Sequence, residues 1–219
     1  MKGLGMTKRL IMIMVGYVAL CGVYFSNIHL PSKLAYPVAM LGIVALTEGR
    51  RIGWLMPIGL VCSALGDLQG TLGNFLGQMG CFSLAHVAYI GYFVKRMPSG
   101  LNAKQGALRA IPCVLLGIVA FALIVPHAPQ GIVQTGVGIY CVLILTMLWA
   151  ALMQHNGWFG WGAALFVASD FILAWNKFVE PIDGASWLIM VPYYGAQGLL
   201  YMRATTAARG GDSCSAPGR

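Results

Sequence analysis

Two aspartates stand alone near the ends of long apolar runs, Asp67 in GLVCSALGDLQG and Asp170 in GAALFVASDFILAW. A carboxylate at bilayer depth costs about 2.5–3.5 kcal/mol on insertion scales, so an acid kept there marks a candidate site of chemistry. The flanking residues repeat as well. Gly59 and Gly162 each lie eight residues before their aspartate, and Phe75 and Phe178 each lie eight residues after it. The same acid is placed twice, on two stretches running the same way. A pair of carboxyls in an apolar setting can divide the work of acid catalysis. One holds a proton and donates it, while the other stays ionised and steadies positive charge or activates water.

Polar residues on the following stretches extend the constellation. Gln78, Phe82, His86 and Tyr89 recur at spacings of four, four and three, which is one face of a helix. Tyr193, Tyr194 and Gln197 fall at depths comparable with His86 on the stretch after Asp170. Asp67, Asp170 and His86 are therefore the candidate catalytic residues. Tyr89, Tyr193, Tyr194, Gln197, Gln78 and Asn176 are the candidate substrate contacts. Each has a structural alternative. A lone histidine in a helix can simply make a packing hydrogen bond, and Tyr193 and Tyr194 can be interface aromatics. Asn74, Asn176 and Lys177 read equally as caps or outer-loop residues, and His29, His127 and His155 sit in connections.

Composition supplies the elements that must position these groups. The chain has 219 residues, 58% of them hydrophobic and 9% charged, with a mean hydropathy of +0.76. A soluble domain must offer water more polar surface than that, and the apolar runs are continuous rather than alternating, which argues against a barrel. The expected fold class is all-α, a polytopic transmembrane bundle. Eight spans can be counted: Leu10–Ser26, Leu34–Leu46, Ile52–Gln69, Phe75–Val94, Ala107–Val125, Gly131–Met153, Trp158–Trp175 and Ser186–Met202. Spans three and four, and spans seven and eight, form a parallel internal pseudo-repeat. Residues 1–203 make one domain, and the small polar stretch 204–219 reads as a disordered cytoplasmic tail.

Charge orients the bundle. With the N-terminus inside, the inner segments carry Lys2, Lys8, Arg9, Arg50, Arg51, Lys95, Arg96, Lys104, Arg109, Arg203, Arg209 and Arg219, and the outer ones carry Lys33 and Lys177. This asymmetry puts both termini in the cytoplasm. It also accounts for the net charge of +8 without nucleic acid as a partner. The six cysteines show no paired spacing, and five lie in apolar runs, where a thiol packs as a small hydrophobe. VALCG approaches a lipoprotein cleavage box, but Leu20 is too large before Cys21, so the first stretch reads as an uncleaved span. Pro37, Pro57, Pro112 and Pro192 are expected near span ends.

The segments SALGDLQG, FLGQMGCFSLAHVAYIGYF, ALFVASDFILAWNKF and MVPYYGAQGLL resemble, in that order, the YhhN-like lysoplasmalogenases. The matching motifs are Gly66–Asp67, Ala85–His86 with Tyr89, Ser169–Asp170, and Tyr193–Tyr194 with Gln197, covering about residues 53–202. One departure lies near the second span, where the family's Lys-Pro is Lys33–Leu34 with the proline displaced to Pro37. The resemblance implies a membrane enzyme of eight spans that hydrolyses the vinyl-ether bond of lysoplasmalogens, releasing a fatty aldehyde and a glycerophospho-alcohol. Its partners would be a lysophospholipid substrate, water and membrane lipids, and its place a cell membrane, the inner one in a bacterium. A vinyl ether is acid-labile but indifferent to nucleophiles, so two aspartates suit it without metal or other cofactor. No serine sits in a nucleophile elbow. His86 would orient or reprotonate the acid, Tyr89, Tyr194 and Gln197 would bond water or glycerol oxygens, and Lys33 or Lys177 would meet the phosphate. A small proton-coupled transporter, or a lipid-binding membrane protein, is the alternative from residues alone.

Overall fold

Backbone N–H and C=O groups in an apolar medium must bond within their own segment, and continuous apolar runs satisfy that as helices. A computed structural model of the chain describes residues 2–98, 100, 102–154 and 157–211. Nine α-helices and no strand occur among the described residues. They are α1 (Lys2–Phe25), α2 (Tyr36–Thr47), α3 (Gly49–Ile52), α4 (Leu55–Thr71), α5 (Phe75–Val94), α6 (Ala103–Leu123), α7 (Ile132–Leu152), α8 (Gly157–Phe178) and α9 (Ala185–Gly211). A 3₁₀ turn, Val125–His127, follows α6.

A helix covers each of the eight apolar stretches, and α3 is a single additional turn before α4. Four segments are long and apolar enough to cross a membrane by length and composition: Lys8–Phe25, Ala103–His127, Ile132–Leu152 and Gly157–Phe178. The protein is a multi-pass membrane protein. Its outside is apolar, with Met12, Val15, Leu108, Ile118 and Ile132 exposed, while Ser63, Asp67, His86, Ser169, Gln197 and Thr205 are buried. That is the distribution expected when lipid rather than water surrounds the fold.

Local signals set the helix ends. Asn74 caps α5, its side-chain oxygen accepting from the Gly77 N–H at 3.0 Å, after a turn in which Gly73 has φ +73°. Asn102 caps α6 through the Lys104 N–H at 3.0 Å. Two prolines depart from the expected placement: Pro112 lies inside α6 and Pro192 inside α9. Proline cannot donate to the preceding turn, so Pro192 loosens α9 there. Ser169 of α8 donates to the Ile189 carbonyl at 2.9 Å, a bond that ties α8 to α9 just before the proline. α9 also runs past Arg203 to Gly211, with Ala204 and Thr205 buried, because apolar and small residues continue its inward face. His155, Cys214 and the remainder of the tail, 212–219, lie outside the described residues.

α4 packs along α5 and α8 along α9, with α2 against α4 and α7 against α5 and α8. The two ends of the bundle differ. At one end, Phe75 and Phe178, the matched phenylalanines, meet edge to face with centroids 5.6 Å apart. At the other, the basic residues anchor backbone. Arg96 donates to the Ile52 carbonyl at 2.6 Å, Arg109 to Leu152 at 2.9 Å and Arg51 to Thr205 at 3.3 Å. Glu48 is buried there, 3.5 Å from Arg9 and accepting from Tyr201 at 3.3 Å.

Gly59 shows how close the α4–α5 contact is. A Cβ on it would sit 2.3 Å from Cε1 of Tyr89, a ring that is fully buried and hydrogen-bonded to Gln197. Gly59→Ala should therefore destabilise the protein by about 1–3 kcal/mol, as overpacking does, read as a lower thermal midpoint in detergent. A midpoint equal to that of the unsubstituted protein would show that the interface gives way freely.

Candidate active site

Asp67 ends the buried face of α4, and Asp170 lies at the matched point of α8. Both line one cavity, which also takes in Gln78 and Phe82 of α5, Leu116 and Ala120 of α6, Tyr140 and Cys141 of α7, and Met190 and Tyr193 of α9. The cavity holds about 1050 Å³ of empty space, counting its open mouth. Its lining is apolar apart from the acids and a few hydroxyl and amide groups. A long aliphatic chain fits such a lining.

The two acids are held differently. Asp67 is 2% exposed and accepts from the Tyr193 hydroxyl at 2.8 Å. The Tyr193 ring is fixed by Phe82 and Phe166, whose centroids lie 5.8 Å and 5.4 Å from it in edge-to-face contact. Asp170 has a side chain 15% exposed and belongs to a chain of groups. Tyr140 of α7 donates to its Oδ2, and His86 Nε2 lies 2.9 Å from the same tyrosine oxygen and 3.8 Å from Oδ2. With the Tyr140 proton committed to Asp170, its oxygen accepts from His86 Nε2–H. Nδ1 of His86 then faces Met147 Sδ at 3.4 Å, and the imidazole is fully buried. The hydrogen bonds run in order from His86 through Tyr140 to Asp170, so the imidazole and the phenol both direct their protons toward the carboxylate.

The remaining candidates divide. Gln78 and Tyr193 reach the cavity with the two aspartates. Tyr89 and Gln197 are bonded to each other at 2.8 Å in the fully buried layer between α5 and α9 and do not line it. Tyr194 points another way, because successive residues on a helix are turned about 100° apart and it does not share the face of Tyr193. Its hydroxyl donates to the Leu34 carbonyl at 2.8 Å, and its ring packs on Tyr17, Tyr24 and Phe25. Asn176 is likewise a local cap, its side-chain oxygen accepting from the Ile182 N–H at 2.8 Å. Tyr140 is the residue that motif reading misses. Its signal is a tyrosine in the middle of an otherwise apolar run, GVGIYCVLIL, open to the same argument as the aspartates.

Comparisons with known proteins agree on one family. The sequence model described as the YhhN family matches residues 28–204. Lysoplasmalogenase TMEM86B of Mus musculus is 36% identical over 162 residues, covering 73% of this chain and 67% of the relative. Lysoplasmalogenase TMEM86B of Homo sapiens is 32% identical over 203 residues, covering 86% and 84% respectively. Lysoplasmalogenase TMEM86A of Bos taurus is 32% identical over 189 residues, covering 77% and 75%. No solved structure matches the chain.

The two tyrosine–aspartate bonds can be tested before any activity is measured. Tyr193→Phe and Tyr140→Phe each remove one donor from a carboxyl and should each lower stability by about 1–3 kcal/mol. The larger loss is expected for Tyr193→Phe, because Asp67 is the more enclosed acid. Thermal unfolding in detergent reads both, and two unchanged midpoints would mean that the bonds carry nothing.

Proposed function

The chain belongs to the YhhN family, and on that footing we propose that it hydrolyses the vinyl-ether bond of lysoplasmalogens. The observation that carries the proposal is that two carboxyls from different helices line one largely apolar cavity. The relatives named lysoplasmalogenases, 32–36% identical, support the same substrate class.

The chemistry assigns each acid a part. Asp67, enclosed and met by a single tyrosine hydroxyl, donates its proton to the alkene carbon distal to the ether oxygen. The carbon next to oxygen becomes an oxocarbenium centre. Asp170, nearer the open side and joined to Tyr140 and His86, faces that positive charge as a carboxylate. Water adds to the cationic carbon and gives up a proton to Asp170, leaving a hemiacetal. The hemiacetal collapses to a fatty aldehyde and a glycerophospho-alcohol, so the net reaction consumes one water and leaves the enzyme's proton count unchanged. His86 and Tyr140 donate in turn toward Asp170 and hold its carboxylate in place, and Tyr193 orients Asp67. The proton that Asp170 takes from water returns to Asp67 through water in the cavity before the next turnover. Gln78 is placed to bond a glycerol oxygen, while Tyr89 and Gln197 hold α5 and α9 in register below the cavity. This is the division of labour of two-carboxylate glycoside hydrolysis, applied to an alkenyl ether.

The topology proposed with this activity is eight crossings of a cell membrane, both termini cytoplasmic, with α4–α5 and α8–α9 as parallel pseudo-repeats. The segregation of Lys and Arg to one side supports it. Cytoplasm-dependent reporters fused at either terminus should both be active; an inactive fusion at one end would break the even count.

Asp67→Asn and Asp170→Asn should each lower aldehyde release from a defined lysoplasmalogen by a factor of about 10²–10⁴, with the protein still folded. Full activity retained in either variant would end the two-acid mechanism. No aldehyde from the unsubstituted, folded protein would redirect attention to transport or to another ether lipid.

A further inference from the structure

A second cleft adjoins the acid cavity at the Phe75–Phe178 end of the bundle. It holds about 740 Å³ of empty space, counting its open mouth, and is walled by Tyr24, Ser32, Lys33 and Thr71 among others. Leu34 and Gln78 line both the cleft and the cavity, so the two spaces share a wall. The cleft is the more polar of the two and carries a cation at its rim. We infer that it is a phosphate-ester subsite: Lys33 takes the anionic phosphate of a lysolipid whose aliphatic chain lies in the acid cavity. This inference rests on the proposed substrate class and gives that substrate a direction.

Lys33 is built into the cleft. It is half-buried, and its ammonium donates to the Ser26 carbonyl at 2.7 Å and the Ile28 carbonyl at 3.0 Å, which leaves one N–H for a ligand. The neighbouring Ser32 has φ +56°, the only non-glycine in the left-handed region among the described residues. Such conformations persist where surrounding structure fixes them, and they recur at ligand clamps. The other lysine at this end, Lys177, is exposed and stands 4.5 Å over the Phe75 ring, so it has no comparable enclosure.

Length supports the assignment. Thr71 of the cleft donates to the Asp67 backbone carbonyl at 3.0 Å, one helical turn above the acid. Four residues of helix rise about 6 Å. The ether oxygen and phosphorus of a lysoplasmalogen are separated by five bonds of roughly 1.5 Å, which span about 6 Å when extended. A phosphate at Lys33 thus brings the alkenyl ether to the level of Asp67.

The test compares two substrates that differ only in phosphate, an alkenyl-glycerophosphoethanolamine and the corresponding alkenylglycerol. Lys33→Met should raise KM for the first about tenfold and shrink its advantage over the second by the same factor, with Lys33→Arg restoring most of it. Equal losses on both substrates, together with a lower thermal midpoint, would make Lys33 only a loop anchor and overturn the inference. So would Lys177→Met reproducing the effect. A second arm needs neither turnover nor a variant. The saturated alkyl analogues, with and without phosphate, are bound to the unsubstituted protein and followed by tryptophan fluorescence. The phosphate-bearing analogue should bind about tenfold more tightly. Equal affinity overturns the subsite even if aldehyde is released, whereas a phosphate preference without aldehyde release upholds the cleft and counts against the activity. Displacement by inorganic phosphate at a concentration matching the lipid's would identify a free-anion site and overturn the lipid assignment.

Discussion

Among the described residues three acids enter the helical bundle, and a tyrosine hydroxyl meets each of them. Tyr193 donates to Asp67 at 2.8 Å, Tyr140 donates to Asp170, and Tyr201 donates to Glu48 at 3.3 Å. An apolar interior makes an unpartnered carboxyl expensive, so some donor is compulsory. The kind of donor matters as much. A guanidinium or ammonium would lock the carboxylate in an ion pair, and removing either partner would leave a buried charge. A phenol satisfies one lone pair and adds no charge, so the carboxyl keeps the option of carrying a proton. Glu48 illustrates the contrast, because Arg9 stands 3.5 Å from it as well as Tyr201. That acid is a fastening at the basic end of the molecule. Among the described residues no arginine or lysine pairs with either aspartate, and these two acids are the ones that line a cavity.

These partners come from across the bundle. Asp67 on α4 is completed by Tyr193 on α9, and Asp170 on α8 faces His86 on α5 and Tyr140 on α7. Neither α4–α5 nor α8–α9 can assemble its own set. The edge-to-face contact of Phe75 with Phe178 joins the same two pairs at the cavity end. Polar bonds and close packing, rather than burial of apolar area, drive helix association in lipid. The groups proposed for chemistry are therefore also part of what brings the helices together. This gives a physical reason for an apolar chain to keep costly polar residues at these positions.

Much of this was legible in residue order. Continuous apolar runs located the helices, and α5 begins and ends where its pattern predicts, with Asn74 as a cap signal. Asp67 and Asp170 stood out because their insertion cost is large against an apolar background. What was not legible depended on rotation and on partners. Tyr193 and Tyr194 are adjacent in sequence, and only the setting of α9 about its axis decides which one faces Asp67. Asn176 has the same chemistry as a ligand and as a cap, and its actual partner is the Ile182 N–H. Tyr140 is marked in the sequence only as a polar group in an apolar run, and its partners, Asp170 and His86, are set by distances in the fold.

α6 supplies Leu116 and Ala120 to the far side of the cavity while presenting Leu108, Ile111, Ile118 and Phe121 outward. It packs on α7 and the turn that follows it, with Pro112 in its interior. One wall of the chamber is thus a single helix whose other side is surrounded by acyl chains. The space on offer to a bound aliphatic tail is then set jointly by protein and bilayer. On the proposed function, the fluidity of the surrounding lipid then becomes a determinant of which tail lengths are accepted, much as a movable jaw sets the gauge of a vice.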